Sequence, residues 1–397
     1  MRRAFGLLLI AATISLSPAA SRAEEQAAGH YFPGGISSYF DLVPANFLKY
    51  KSTSTPIYTL AIGNDSTYYH GSSNTLFGAN ATSYTDTWLF LCQFPRAISI
   101  LPGEPHYSVA LAVPYTWLRA HALVQHSKNK FIPTTDTDSG FGDVELLPIM
   151  LNWANLARYP AEPKDPKDVL FGYQWGYQAE FGIYAPTGNF ESHGLPNSAA
   201  PANLGRNYWT FEPSAAAGYL IAPAKEELQN YLVGFTISPG IDFNTKNGAT
   251  QYQTGDQFHL DGTLTGYYVL GGPKGGEQAT QLVGLGASGF FYQQITRDSG
   301  SGAVNGSFKA MTTGVGPDLS YLYSSTDGYL TMGADVKWLP ELSVSNRLQG
   351  NIIWLKLAIA WGTPKPQAPA AFAAEAAATP AAPVAPNVRA LYAIPSL

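Results

Sequence analysis

The stretch "DQFHLDGTLTGYYVL", residues 256–270, carries apolar and polar side chains at alternating positions. One side of the extended chain presents the apolar Phe258, Leu260, Leu264, Tyr268 and Leu270. The other side presents the polar Gln257, His259, Asp261, Thr263 and Thr265. Successive side chains of a β-strand point to opposite faces, so this period predicts a strand. Its length of about 15 residues far exceeds the usual strand of about 5–6 residues.

The same alternation recurs along the chain. It is clear in "GYQWGYQAEFGIY" (172–184), "RNYWTFEP" (206–213) and "GYLTMGADVKW" (328–338). Further candidate strands lie near 46–60, 84–95, 107–121, 142–154, 228–243, 281–293, 310–322 and 347–361. Clusters of Gly, Pro, Asn, Asp and Ser separate them, and no stretch shows a comparable helical period. The sequence therefore predicts about twelve strands.

Two architectures accommodate so many alternating strands. A soluble sandwich buries the apolar faces in a core, whereas a transmembrane barrel turns them to lipid and keeps a polar lumen. The strands are long enough to cross a bilayer, and the polar faces carry ionisable groups. Aromatic side chains near strand ends are typical of interface girdles; they include Trp88, Trp117, Trp153, Trp338 and Trp361. We expect an all-β protein, a transmembrane antiparallel β-barrel of about 12 strands with a disordered Ala/Pro-rich C-terminal tail.

Loop lengths add weaker support for a barrel. Long connections are expected near 61–83, 122–141, 185–205 and 294–309, and short ones near 221–227 and 323–328. Long loops of such barrels are extracellular and short turns periplasmic.

The chain ends differ from its middle. Residues 1–23 combine Arg2 and Arg3 with an apolar run and a Ser21-Arg22-Ala23 cleavage site, which predicts a secretory signal peptide. An uncleaved anchor is the alternative. We expect residues 24–44 to form an N-terminal periplasmic segment and residues 45–362 the transmembrane β-barrel. Residues 363–397 form the Ala/Pro-rich tail, either a disordered periplasmic extension or a segment that docks its terminal "NVRALYAIPSL" on an unknown partner.

Composition excludes several classes of function. The net charge is −5 and no basic cluster lies on one face, so no nucleic-acid partner is expected. Cys92 is the only cysteine, which rules out an internal disulfide and indicates a small hydrophobic residue. The residues 284–289, "GLGASG", continue into a strand rather than a helix and do not predict a nucleotide site. Scattered His residues and the acidic loop 136–143 match no metal or catalytic motif, so we expect no enzyme, cofactor or metal.

Seven ordered segments resemble a known family. They are "FGDVELLPIMLNW" (141–153), "YAPTGNF" (184–190), "NLGRNYWTFEPSAAAGYL" (203–220), "QYQTGDQFHLD" (251–261), "GFFYQQITRDSGSGA" (289–303), "GPDLSYLY" (316–323) and "NRLQGNIIWLKLAIAW" (346–361). In this order, together with "GHYFPGGISSYFDLVPANF" near the start, they resemble the outer-membrane proteins named for the meta-pathway of phenol degradation. The resemblance implies an outer-membrane barrel of a Gram-negative bacterium, linked with degradation of aromatic or other hydrophobic compounds. It also implies a transport role without established catalytic residues.

One feature departs from the barrel pattern. Such chains commonly end on an aromatic residue that the outer-membrane assembly machinery, an expected partner, recognises. Here Trp361 takes that place and a long tail follows it.

The polar strand faces supply candidate lumen-lining residues: Gln178, Glu180, Arg206, Glu212, Gln257, His259, Asp261, Asp335 and Lys337. They either orient a solute or form a mutually paired network that fills the interior. The first hypothesis is an outer-membrane channel or transporter for passive uptake of small hydrophobic or aromatic compounds, in contact with outer-membrane lipid. A structural or adhesive barrel without transport is the alternative. A secreted soluble β-sandwich binding protein is a weaker one.

Overall fold

The computed structural model describes ten ranges of the chain. They are residues 29–35, 59–73, 79–127, 130–155, 174–192, 199–221, 231–271, 280–303, 307–324 and 330–362. The predicted signal peptide 1–23 and tail 363–397 lie outside the described residues.

Within these ranges, thirteen strands form one antiparallel sheet. Their bounds are β1 (Thr59–Ser73), β2 (Ala79–Ala97), β3 (His106–Ser127), β4 (Lys130–Phe141), β5 (Val144–Asn155), β6 (Gln174–Ala185), β7 (Thr210–Ile221), β8 (Tyr231–Asn244), β9 (Gln257–Gly271), β10 (Thr280–Gln294), β11 (Met311–Ser324), β12 (Leu330–Ser345) and β13 (Gln349–Gly362).

The sheet closes on itself. Each strand from β5 to β12 pairs with the next one along the chain, and β1, β2 and β3 also pair in order. β1 then pairs with β13 from Thr59↔Gly362 to Ser72↔Gln349, which joins the first strand to the last. A closed sheet pairs its backbone groups around the ring, as lipid requires. Among the described strands, β4 pairs with β3 alone.

β4 and β5 together form one position in the ring. The 22-residue β3 pairs with β4 over Tyr115–Ser127 and with β5 over His106–Ala112. The strand opposite β3 is therefore continuous except at Gly142 and Asp143. Counting β4 and β5 as one, the closed barrel has twelve strands, which confirms the predicted fold class and strand number.

Exposure alternates along the strands as the sequence patterns predict. On β8, odd-numbered residues such as Val233 and Phe235 are exposed, whereas even-numbered ones such as Leu232 and Asp242 are buried. β12 behaves in the same way: Val336 and Trp338 are half exposed, while Lys337 is buried. The apolar side faces outward and the polar side faces the lumen, the reverse of a soluble protein.

Two predicted loops are strands. Residues 61–83 were expected to form a loop, yet most of them belong to β1 and β2. Residues 122–141 were also expected to form a loop, and they contain the end of β3 and all of β4. The first strand was predicted at 46–60, but β1 begins at Thr59, and residues 46–58 lie outside the described residues.

The segments 61–83 and 122–141 lack the continuous apolar face on which the strand prediction depends. The outward side of β1 carries Asn64, Ser66 and His70. Where β3 pairs with β4, its outward side carries Arg119 and His121. Polar residues on both faces remove the period-two signal.

No helix in the described part of the chain is long and apolar enough to cross a membrane.

Candidate functional site

The predicted lumen residues lie on or beside the inward faces of the strands. Seven of them are buried: Glu180, Glu212, Gln257, His259, Asp261, Asp335 and Lys337. Gln178 is half-buried on β6 and its Nε2 donates to Glu180 Oε1 at 2.6 Å. Arg206 precedes β7, and its backbone N–H donates to Asp143 Oδ2 at 2.6 Å.

Residues 29–35 enter this lumen. The Tyr31 hydroxyl donates to Asp261 Oδ1 at 2.5 Å, and the Gly34 N–H donates to the same oxygen at 3.1 Å. Trp354 Nε1 on β13 donates to the Pro33 carbonyl at 3.0 Å. These contacts place residues 29–35 inside the barrel. That the segment 24–44 is periplasmic stays a prediction. The other residues of that segment lie outside the described residues.

Two lysines, one on β12 and one on β13, bind the same segment. Lys337 Nζ donates to the Gly34 carbonyl at 3.4 Å, and Lys356 Nζ donates to the Gly35 carbonyl. Lys337 also pairs with Asp335, with Nζ and Oδ2 3.1 Å apart. The segment 29–35, hereafter the lumen segment, thus bridges β9 to β12 and β13.

Aromatic rings add to this docking. The Tyr31 ring stacks on His259, with centroids 4.0 Å apart and planes at 16°. It also lies parallel to Tyr292, with centroids 5.8 Å apart. Arg347 covers the same Tyr292 ring, its Cζ lying 4.8 Å from the centroid. Stacked rings of this kind contribute about 0.5–1.5 kcal/mol beyond their buried area.

His30 anchors the start of the lumen segment near the break between β4 and β5. Its Nε2 lies 2.8 Å from Asp143 Oδ2 and its Nδ1 2.7 Å from Thr210 Oγ1. The ring stacks on Tyr184, with centroids 4.9 Å apart. Burial lowers the pKa of His30 from its ordinary value, and the neighbouring Asp143 carboxylate acts in the opposite direction.

A compact ionisable cluster occupies the inward face of β7, β8 and β9. His259 Nε2 lies 3.3 Å from Glu212 Oε1 and 3.6 Å from Asp242 Oδ1. All three side chains are buried, and Asp242 is fully so. The sequence predicted Glu212 and His259 as lumen groups but did not single out Asp242. The signal was present, because Asp242 has the same parity as the buried positions of its strand.

Other lumen groups also escaped the sequence prediction. Asp318 on β11 is buried and accepts a hydrogen bond from Ser288. Glu341 on β12 accepts from the Gly350 N–H at 2.7 Å and from Thr312 Oγ1 at 3.1 Å. Tyr31 had no such signal, because its partners lie more than 200 positions away along the chain.

Solved structures with a similar architecture include several outer-membrane proteins. The COG4313 outer membrane channel from Pseudomonas putida F1 is 14% identical, with a TM-score of 0.44 over 79% of this chain and 98% of that one. The transport unit of the autotransporter AIDA-I from Escherichia coli is 9% identical, with a TM-score of 0.42 over 81% and 98%. The CymD monoaromatic hydrocarbon channel is 10% identical, with a TM-score of 0.30 over 88% and 100%. Identities this low and TM-scores below 0.5 carry no information about the solute of this chain.

No curated protein matches the chain at a significant level. One family model does match, over residues 63–357, from the first strand of the barrel to the last. This confirms the family indicated by the ordered sequence segments. The chain belongs to the family described as "Putative MetA-pathway of phenol degradation".

Proposed function

We propose that this protein is a channel in the outer membrane of a Gram-negative bacterium, exported by its predicted signal peptide, for passive uptake of small hydrophobic or aromatic compounds. One observation carries the proposal: a closed twelve-strand barrel presents apolar side chains outward and a polar, aromatic lining inward. An outward face rich in exposed Leu, Val, Ile and Phe requires a lipid environment. A channel, rather than an enzyme, is the simplest use of an inward face without a catalytic motif.

The inner lining suits a small aromatic solute with a polar group. Aromatic rings on the inward face include Tyr208, Tyr267, Phe290, Tyr292 and Trp354. Carboxylates and amides lie between them and can bind a hydroxyl group. Tyr31 itself, a phenol ring stacked on His259 with its hydroxyl on Asp261, illustrates how such a ring is accommodated. The description of the family, which refers to phenol degradation, supports the same class of solute.

Passage through the lumen requires that the lumen segment moves or leaves a path beside it. We therefore expect low conductance from the intact mature chain in planar bilayers and a higher conductance when residues 24–35 are deleted. In liposomes the same deletion should speed the entry of phenol relative to a sugar of similar size. Heat-modifiable migration in gels checks that both proteins are folded.

A second candidate function, a structural barrel without transport, is favoured by the number of bonds that hold the lumen segment. The experiment separates the two. If neither the intact nor the shortened chain conducts ions or passes phenol, the channel proposal is wrong and the structural barrel stands.

A further inference from the structure

The cluster of Glu212, Asp242 and His259 is unusual because buried polar atoms of Asp242 and His259 make no hydrogen bond of normal geometry. Among the described residues, neither carboxylate oxygen of Asp242 nor Nε2 of His259 has a hydrogen-bond partner. Asp242 is 0% exposed, so water does not solvate its oxygens. Apart from the contact with His259 at 3.6 Å, the Asp242 carboxylate is left without a hydrogen bond, which costs several kcal/mol, and a bound cation would offset that cost.

The distances from His259 to the two carboxylates are close to those between ligands that share one cation. Nε2 of His259 lies 3.3 Å from Glu212 Oε1 and 3.6 Å from Asp242 Oδ1, and all three ligand atoms fall within 4.8 Å of one another. Ligand atoms bound to a metal at about 2.0–2.2 Å lie roughly 3.0–3.5 Å apart in tetrahedral or octahedral geometry. A single N–H on His259 cannot bond both carboxylates well, whereas a cation between the three atoms can.

Charge balance points the same way. A neutral imidazole with two carboxylates carries two negative charges, which a divalent cation neutralises. A third carboxylate, Glu145, lies beside Glu212, because a Cβ atom at Gly182 would lie 3.0 Å from Glu145 Oε1 and 3.6 Å from Glu212 Cβ. Removing three acids from water without a counterion is unfavourable.

The backbone leaves room for the imidazole in this position. Gly240 on β8 pairs with His259, and a Cβ atom at Gly240 would lie 2.2 Å from His259 Cε1 and 2.5 Å from Nε2. The ring is also held flat against Tyr31 by stacking. Nε2 is therefore directed at the two carboxylates by contacts on two sides of the ring.

We propose that Glu212, Asp242 and His259 form a binding site for one divalent transition-metal cation, such as Zn²⁺, inside the barrel. The mixed nitrogen and oxygen donor set suits Zn²⁺ better than Ca²⁺, which prefers six to eight oxygens. The sequence did not predict this metal site, because its ligands come from three strands rather than from one short motif.

The test uses the full mature chain, folded in detergent, stripped with a chelator and titrated with Zn²⁺ in competition with a chromophoric chelator. We expect one high-affinity site. Asp242→Asn and Glu212→Gln should each weaken it by more than about 100-fold, since losing even an outer partner of a ligand costs about 10–100-fold. Asp318→Asn removes a buried lumen carboxylate outside the cluster and should change the affinity by less than about threefold.

A second variant removes no ligand. Gly240→Ala places a methyl group where the imidazole lies, so it should weaken Zn²⁺ binding, whereas Gly248→Ala, whose Cβ would meet nothing within 4 Å, should not. X-ray absorption of the Zn²⁺-loaded wild-type chain should show one imidazole nitrogen among oxygen ligands, and this measurement needs no variant to fold.

Three results would overturn the proposal: less than about 0.1 equivalent of tightly bound Zn²⁺, equal loss of affinity in Asp318→Asn and Asp242→Asn, or a zinc shell without imidazole. The cluster would then be an ion pair of protonated His259. None of these measurements depends on transport, so the site and the channel can fail separately.

Discussion

Asp261 shows how one side chain couples the barrel wall to the lumen segment. A single oxygen, Oδ1, accepts both the Tyr31 hydroxyl and the Gly34 N–H. Hydrogen bonds to a charged acceptor contribute about 1.5–3 kcal/mol each, more than bonds between neutral groups. Asp261 should therefore control how often the lumen segment leaves its site.

We expect Asp261→Asn to loosen the lumen segment without unfolding the barrel, because the neutral amide is a weaker acceptor. Hydrogen–deuterium exchange of a peptide that covers residues 29–35 should become at least about tenfold faster, which corresponds to about 1.4 kcal/mol.

Asp318→Asn is the matched control, since it also removes one lumen carboxylate. Asp318 lies on β11 and accepts a hydrogen bond from Ser288. Equal acceleration in both variants would mean that lumen charge, rather than the bonds to Asp261, holds the segment.

For single residues, the sequence predicted which face of a strand a side chain occupies but not which side chain it contacts. Glu212, His259 and Asp261 were assigned to the polar face from parity alone, and all three are buried there. The contacts of Tyr31 with His259 and Asp261 could not be predicted, since no local period links positions so far apart.

The two-residue break between β4 and β5 makes tertiary contacts of its own. Asp143 follows Gly142 there and accepts hydrogen bonds from the backbone N–H groups of Gly188 and Arg206, at 2.8 Å and 2.6 Å. These bonds draw the connection between β6 and β7 against the wall. Glycine is required at the contact, because a Cβ atom at Gly188 would lie 2.7 Å from Gly205 Cα and 2.8 Å from the Gly142 carbonyl carbon.

We expect Gly188→Ala to destabilise the barrel by about 1–3 kcal/mol, because backbone atoms of two other segments would have to shift. Urea unfolding in phospholipid vesicles, followed by tryptophan fluorescence, measures this change.

Gly248→Ala, also in a connection between strands, has open space around its added methyl group and should change the free energy of unfolding by less than about 0.5 kcal/mol. Similar values for the two variants would show that the contact at Gly188 is not tight.

Strands were predictable only where one face meets lipid. β9 has apolar Leu260 and Leu264 on its outward side, and its bounds were predicted closely. β1 and β4 were missed because their outward faces carry polar residues such as Asn64 and Thr137. The hydrogen bonds that form these strands come from pairing with β13, β2 and β3, which the local sequence does not encode.

At the scale of the whole barrel, β9 shows an apolar outward face bounded by aromatic residues. On β9, Tyr268 and Phe258 face outward about ten residues apart, with Leu264 between them. Ten residues of a strand tilted by about 40° span roughly 25 Å along the barrel axis, the height of the apolar band of outer-membrane barrels.

Depth in this band predicts the cost of a charge. Leu264 is 58% exposed at the middle of β9, and Leu342 is 61% exposed near the end of β12. We expect Leu264→Arg to cost about 2–4 kcal/mol and Leu342→Arg about 0–1 kcal/mol. Urea unfolding in bilayers measures both variants under the same conditions.

Equal costs for the two arginines would contradict the proposed orientation in the membrane. A soluble barrel, which has no depth dependence, would tolerate both substitutions.

The barrel and its approximate strand number were predicted because so many alternating segments leave few other architectures, although the first of the twelve, 46–60, overlaps β1 only at residues 59–60. The filled lumen did not follow. Residues 29–35, "GHYFPGG", show no alternation and few apolar positions, so nothing local distinguishes an interior segment from a periplasmic one.

The order of synthesis determines when the lumen segment can make each of its contacts. Pro33 leaves the ribosome well before its partner Trp354, which lies 321 positions later, on the strand that seals the ring. The contact between Pro33 and Trp354 therefore cannot form until β13 has been made. Docking of the lumen segment is consequently complete only when the last strand of the wall is in place.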